Sequence, residues 1–168
     1  MIKEPDSTTE FVFHRWIDSR GGHLARFSLE AVGGVPVNIE IDNANGAGIT
    51  AGQTCRVEVY GFGSAPEVYA SETDYYSSKH SMYVDSLIPT GTFPSTSRSG
   101  KEESAEILFS GKAQIVETKS GAGPNEPNCC IVMKVLGMVF LLYTRSDENI
   151  APGSIIHGTA YLYGELKL

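Results

Sequence analysis

The side chains best suited to chemistry are concentrated in one segment, residues 69–93. This segment carries tyrosines, carboxylates and a histidine between two halves that are rich in glycine and in alternating apolar residues. Acid–base catalysis needs such groups within hydrogen-bond reach of a substrate, and adaptable binding surfaces use the same residue types. We therefore expect recognition or chemistry to involve this segment. The candidate residues are Tyr69, Asp74, Tyr75, Tyr76, His80, Tyr83 and Asp85.

The length of this connection allows two interpretations. Ordering it costs about 1–2 kcal/mol of backbone entropy per residue, so the segment must either pack or bind. Long connections in compact domains are often functional loops. The alternative is a packed insertion that plugs the end of a barrel or covers a sheet edge.

The last segment of the chain offers a second candidate surface. His157, Tyr161 and Tyr163 share one face of a predicted strand, opposite a face of glycine, alanine and leucine. Tyr60 and Phe62 occupy the corresponding face in the first half. Aromatic rings on the second face of a strand suggest contact with a ligand or partner. The alternative is a second packing layer, within the domain or between copies in a homo-oligomer.

The spacing of the usual ligands predicts neither a metal site nor a cofactor. The adjacent cysteines Cys129 and Cys130 would point to opposite faces of a strand, so they cannot easily share one ion. They are predicted to be small buried residues, with a vicinal disulfide or a redox-active thiol as alternatives. No histidine lies at ligand spacing from another; the four are His14, His23, His80 and His157.

Common catalytic motifs are also absent from the sequence. It contains no G-x-x-x-x-G-K-[ST], no H-E-x-x-H and no G-x-S-x-G. The glycine-rich stretch at residues 46–52 is followed by a predicted strand, so no helix N-terminus would face a phosphate there. The catalytic residues of any enzyme activity stay unassigned.

Charge and composition argue against several classes of protein. The chain has 168 residues, 20 acidic and 13 basic, with a net charge of −7 and no run of Lys or Arg. A nucleic-acid binder normally shows a basic patch, so the charge disfavours that partner. The longest apolar run, residues 129–143, is too short for a membrane helix. With no apolar leader and three cysteines, we expect a cytoplasmic protein that has no disulfide framework and no membrane contact.

Alternating apolar and polar residues predict strands along most of the chain, most cleanly over residues 35–41. We expect a single domain, 1–168, made of a first strand-rich half (10–63), a helix and loop insertion (64–104) and a second strand-rich half (105–168). The one short helix is placed after Ser64, because Ser64 and Glu67 fit a capping box. The predicted core contains Val37, Ile39, Val57, Val59, Phe109, Val132, Phe140, Leu142, Ala160 and Leu162.

The two halves repeat one pattern. Residues 35–52 and 136–153 both run from an apolar strand through a polar turn to an isoleucine, and then to a glycine three residues later. The strands that follow end in Tyr60-Gly61 and Tyr163-Gly164, with two extra residues in the second copy. This echo predicts an all-β fold, a small curved barrel or sandwich of short strands. The pattern is similar to the OB-fold class of five-stranded barrels, and that architectural resemblance implies no function.

Three functions remain open on this basis. The first, which we favour, is a non-catalytic binding or interaction module that holds a protein partner or a small polar ligand on an aromatic and acidic surface. The second is an enzyme whose acid–base site uses Asp74, His80 or Asp85 together with Tyr75 or Tyr76. The third, which the acidity disfavours, is a barrel that stacks single-stranded nucleic acid on its aromatic rings.

Overall fold

The part of the chain that the structure describes is predominantly β, with one short helix. The computed structural model describes residues 8–17, 23–30, 33–42, 48–63, 66–92 and 103–167. The elements are β1 (Thr8–Ile17), β2 (Leu24–Leu29), β3 (Val35–Ile41), β4 (Thr54–Gly63), β5 (Glu67–Tyr69), α1 (Glu72–Ser77), β6 (Ser86–Ile88), β7 (Glu106–Thr118), β8 (Cys129–Val135), β9 (Met138–Thr144) and β10 (Ile155–Lys167).

All ten strands belong to one sheet that closes in a ring. Its order is β5-β10-β3-β2-β1-β4-β9-β8-β7-β6, with additional pairings of β10 with β4 and with β7. Two smaller rings of five strands therefore share β4 and β10. One is β1-β2-β3-β10-β4, and the other is β7-β8-β9-β4-β10. In each ring one pair is parallel, β3 with β10 in the first and β9 with β4 in the second.

The two halves of the chain have the same pairing pattern. Exchanging β1–β4 with β7–β10 leaves every pairing among these eight strands unchanged. The centre of this pseudo-two-fold arrangement is the antiparallel β4–β10 pair, in which Tyr60 lies opposite Tyr163. The parallel pairs match as well, since Tyr60 lies opposite Leu141 and Tyr163 opposite Glu40. The repeated sequence pattern thus corresponds to a repeated structural unit.

Matching irregularities support this correspondence. The register shifts in β1 between Phe13 and Arg15, and in β7 between Ala113 and Ile115, as β-bulges do. Beside each bulge a turn glycine with positive φ donates its N–H across the sheet. Gly52 donates to the carbonyl of Phe13, and Gly153 to that of Ala113, both at 2.8 Å. The polar turn of the first copy includes residues 43–47, which lie outside the described residues.

The core lies inside the rings and follows the alternation of the sequence. All ten residues of the predicted core are buried. On β4 the inner positions are Cys55, Val57 and Val59, and the residues between them face outward. A hairpin turn joins β8 to β9, and its residues Leu136 and Gly137 both have positive φ. No helix in the described ranges is long and apolar enough to cross a bilayer.

The insertion folds differently from the prediction at its start. Glu67 lies in strand β5 instead of the third position of a helix, so the helix prediction after Ser64 is wrong; Ser64 itself lies outside the described residues. The reason is that residues 67–69 pair with the free edge of β10. The helix begins after Ser71, whose side chain accepts a hydrogen bond from the Asp74 N–H at 3.2 Å. Phe93 and the Ser-rich residues 94–102 also lie outside the described residues.

Candidate functional site

The structure divides the predicted site residues between two places on the outer face of β10. Near its start, Tyr69, Tyr75, His80 and His157 come together with Glu67, and we call these five residues the histidine cluster. Near its end, Tyr161 and Tyr163 join Tyr60, Phe62 and Tyr143, and we call these five the aromatic face. His157 and Tyr161 are four residues apart on one strand, which separates the two sites by roughly 13 Å.

Strand pairing and a packed tyrosine position the histidine cluster. Glu67 on β5 lies directly opposite His157 on β10, so both side chains project from the same face. The helix α1 covers this face: Glu72 forms a 2.9 Å ion pair with Lys112 of β7, and Tyr75 is fully buried. His80 follows α1 and is stacked on the Tyr75 ring, with ring centres 4.6 Å apart and 7° between the planes. The ring centre of His80 lies 4.3 Å from that of His157.

A hydrogen-bonded chain connects His80 to Glu67. The Tyr69 hydroxyl lies 2.8 Å from Glu67 Oε1 and 2.7 Å from His80 Nε2. An ionised carboxylate can only accept, so the single hydroxyl proton is donated to Glu67. It follows that His80 Nε2 carries a proton and donates it to the Tyr69 oxygen. The arrangement can pass a proton between an imidazole and a carboxylate through a phenol.

The same count of donors and acceptors shows which ring nitrogen of His157 carries the proton. The buried Tyr75 hydroxyl donates to the Met82 carbonyl at 3.0 Å and lies 3.5 Å from His157 Nδ1. Its proton is used, so His157 Nδ1 is the donor in the longer contact. In a neutral ring Nε2 is then an acceptor, and it faces Glu67 Oε2 at 3.9 Å. Burial and the neighbouring His80 lower the pKa of His157 against the opposing effect of Glu67, which favours the neutral ring.

A buried hydroxyl without a partner lies beside this histidine. Ser110 on β7 is directly opposite His157, on the side away from Glu67. Ser110 is fully buried, and its Oγ has no hydrogen-bond partner among the described residues. Buried polar groups in proteins are nearly always satisfied, so an unsatisfied hydroxyl next to the cluster indicates a place for a further polar group.

The remaining predicted residues of the insertion lie apart from the cluster centre. The Tyr76 hydroxyl accepts from the Val84 N–H at 3.0 Å, and its ring is near that of the exposed Tyr83. Asp85 accepts a hydrogen bond from the Leu136 N–H at 2.7 Å, which ties the insertion to the β8–β9 turn. Asp74 is on the exposed side of the first turn of α1.

The aromatic face is built around the centre of the pseudo-two-fold arrangement. Phe62 and Tyr143 are stacked, with ring centres 5.6 Å apart and 22° between the planes. Phe62 also meets Tyr163 edge to face at 5.4 Å. Phe62 and Tyr161 each remain 47% exposed, a large fraction for aromatic rings.

Carboxylates surround these rings. Burial and then a hydrogen bond to Glu58 raise the pKa of Tyr60, and the charge of Glu106 is the main cause of the raised pKa of Tyr161. Burial raises the pKa of Tyr143, and Glu58 and Glu117 add to that shift. One lysine, Lys167, bridges Glu58 and Glu165 at 3.1 and 3.5 Å. The surface thus combines exposed rings with negative charge, and it already accommodates one ammonium group.

No protein-family model, curated protein or solved structure matches this chain. Its function must therefore be inferred from the geometry of the two sites.

Sequence reasoning missed three contributors to these sites: Glu67, Tyr143 and Ser110. Glu67 was assigned to a helix cap, although the alternation of Glu67, Val68 and Tyr69 also fits a short strand. Tyr143 was counted with the apolar core run, yet its strand alternates and places it outward. Nothing in the sequence around Ser110 distinguishes it, because its importance comes from the strand that pairs with β7.

Proposed function

We propose that this protein is a non-catalytic binding module that holds a basic segment of a partner protein on the aromatic face. The observation that carries the proposal is the combination of exposed rings, Phe62 and Tyr161 above all, with the surrounding carboxylates. Cationic side chains are attracted to ring faces and to carboxylates, so lysine and arginine fit both features. The net charge of −7 would add long-range attraction for such a partner.

The position of Lys167 supports the choice of a basic occupant. Its ammonium group lies against two carboxylates at the edge of the aromatic face, the geometry expected for a lysine of the partner. We also propose that each five-stranded ring is OB-like, since β4 and β10 carry glycines at their inner positions and serve both rings. The same negative charge disfavours the phosphate backbone of a nucleic acid.

The test is a titration with three labelled probes of similar length: a Lys/Arg-rich peptide, a Glu/Asp-rich peptide and a single-stranded oligonucleotide. We expect only the basic peptide to bind, with a Kd that rises as salt is added. Phe62→Ala should weaken binding roughly fivefold, the equivalent of one cation–π contact, and Glu106→Gln should weaken it too. The matched controls Tyr83→Ala and Asp74→Asn alter an exposed ring and an exposed carboxylate outside the face and should bind as the parent does.

Three results would contradict this function. Salt-sensitive binding of the oligonucleotide would favour the nucleic-acid barrel. Absence of binding to the basic peptide at all salt concentrations would remove the proposed partner class. Self-association of the protein that Phe62→Ala abolishes would assign the aromatic face to a homo-oligomer contact instead.

An enzyme is the second candidate function, favoured by the chain from His80 through Tyr69 to Glu67. A general base needs a route for the proton that it takes up, and this chain supplies one. The test is hydrolysis of a panel of ester and phosphoester substrates by the parent and by His80→Ala. Turnover that His80→Ala removes, in a variant that still melts cooperatively, would support an enzyme over a binding module.

A further inference from the structure

The histidine cluster has the composition of a metal site, formed by residues that are distant in sequence. Glu67 and His157 are brought together by the β5–β10 pairing, and His80 is placed beside them by the stacking on Tyr75. One carboxylate oxygen and two imidazole nitrogens from these residues all lie within 4.8 Å of one another. Two imidazoles and one carboxylate are a common ligand set for Zn²⁺ in proteins.

The distances are close to those that a bound ion requires. His80 Nε2 lies 3.7 Å from Glu67 Oε1, and His157 Nε2 lies 3.9 Å from Glu67 Oε2. Ligand atoms about 2.0–2.1 Å from a tetrahedral ion are about 3.4 Å from each other. The two imidazole nitrogens approach different oxygens of this carboxylate, and the three ligand atoms, which lie within 4.8 Å of one another, would have to move closer together around the ion. The Glu67 side chain is 55% exposed and can move, and its exposure gives an ion access from solvent.

The hydrogen bonds around His157 leave its Nε2 free to bind a metal ion. The contact with Tyr75 assigns the donor role to Nδ1, which directs the Nε2 lone pair toward the Glu67 carboxylate. Two acceptors that face each other without a donor between them are stabilised by a cation. A hydrogen bond to the second nitrogen of a ligating histidine is the usual support for its orientation.

His80 needs one rearrangement to act as a ligand. In the metal-free protein its Nε2 donates a proton to Tyr69, so binding an ion breaks this hydrogen bond and requires the neutral ring to carry its one proton on Nδ1. Tyr69, whose hydroxyl donates to Glu67 at 2.8 Å in the metal-free protein, lies beside the site. The fourth position is left to water, as in zinc sites with three protein ligands.

We propose that Glu67, His80 and His157 bind one divalent transition-metal ion, with Zn²⁺ as the best match to the ligand set. Ser110, which pairs with His157 across β7 and β10, is fully buried, and its hydroxyl has no hydrogen-bond partner among the described residues. This site is separate from the aromatic face, and its test does not depend on the binding of a basic peptide.

The experiment is isothermal titration calorimetry of the untagged, chelator-treated protein with ZnCl2 and, in a separate metal-free sample, with MgCl2. We expect one Zn²⁺ per chain and no measurable Mg²⁺ binding, because imidazole is a poor ligand for Mg²⁺. His157→Ala and Glu67→Gln should each weaken Zn²⁺ binding at least roughly tenfold. The matched control is His23→Ala, a histidine that lies against Trp16 outside the cluster and should leave the affinity unchanged.

A second measurement separates ligation from folding. Co²⁺ bound by two imidazoles and a carboxylate gives visible absorption, which should appear in the parent and the His23→Ala protein and be lost in Glu67→Gln. Because Glu67 is largely exposed, Glu67→Gln should fold even if His157→Ala does not. Zn²⁺ binding that Glu67→Gln and His157→Ala leave unchanged, or the absence of stoichiometric Zn²⁺ binding by the parent, would overturn the proposal.

Discussion

Tyr60 and Tyr163 lie directly opposite each other at the crossing of β4 and β10, and their neighbours follow the same symmetry. Gly61 faces Leu162, and Gly164 faces Val59. The two glycines are thus corresponding positions in the two halves, both at inner positions of strands that two rings share. Their surroundings are nevertheless unequal, because different core side chains fill the two rings.

The first prediction compares these two glycines. A Cβ at Gly164 would lie 2.7 Å from Val57 Cγ1 and 2.9 Å from Ile39 Cγ2, whereas a Cβ at Gly61 would lie 3.2 Å from Phe140 Cδ2. We expect Gly164→Ala to lower the free energy of unfolding by about 1–3 kcal/mol, the usual cost of overpacking, and Gly61→Ala to lower it less. Urea unfolding measures both. If Gly61→Ala lowers the free energy of unfolding as much as Gly164→Ala or more, the core around β10 yields more easily than its packing implies.

The sequence was informative where a local pattern determines the structure and uninformative where distant strands meet. Alternation predicted which side of β4 and β10 faces inward, and the Tyr-Gly echo reflects a repeated unit. The sequence could not show that β3 pairs with β10 instead of β4, since that choice depends on closure of the ring by both halves. The histidine cluster was out of reach for the same reason. Spacing along the chain separates His80 from His157, and only the β5–β10 pairing brings them together.

The second prediction concerns the core. Phe140 is fully buried and meets Phe109 edge to face, with ring centres 5.5 Å apart. We expect Phe140→Ala to lower the free energy of unfolding by about 3–5 kcal/mol, because the change removes the ring's burial and leaves a cavity. Tyr83→Ala is the control, since Tyr83 is 76% exposed and should change stability by less than about 0.5 kcal/mol. A loss below about 1 kcal/mol for Phe140→Ala would mean that this part of the core relaxes around the gap.

The third prediction concerns the end of α1. Lys79 is exposed and has a φ of 64°, in the left-handed region that side chains disfavour. Glycine adopts this conformation without a steric cost and is the preferred residue just after a helix. We expect Lys79→Gly to raise the free energy of unfolding by about 0.5–1 kcal/mol, measured as an increase in the urea midpoint. Lys79→Ala removes the same charged side chain while keeping the Cβ, so it should not stabilise; equal stabilisation by both would attribute the gain to charge.

The last prediction concerns the three cysteines, all of which are free thiols. Burial raises the pKa of Cys55 to about 11, and burial also raises the pKa of Cys129 and of Cys130. The thiolate is the reactive form, and at pH 8 a thiol of pKa 11 is about 0.1% ionised.

We therefore expect the native protein to react slowly with Ellman's reagent at pH 8, and the urea-unfolded protein to release three equivalents rapidly. Raising the pH toward 11 should accelerate the native reaction, because the thiolate fraction grows as the pH approaches the folded-state pKa. Cys130 is partly exposed, whereas Cys55 and Cys129 are buried. Any early phase of the native reaction should therefore come from Cys130, and Cys130→Ser should remove it. Fast reaction of Cys55 or Cys129 at pH 8 in a fully folded sample would contradict their burial in the closed rings.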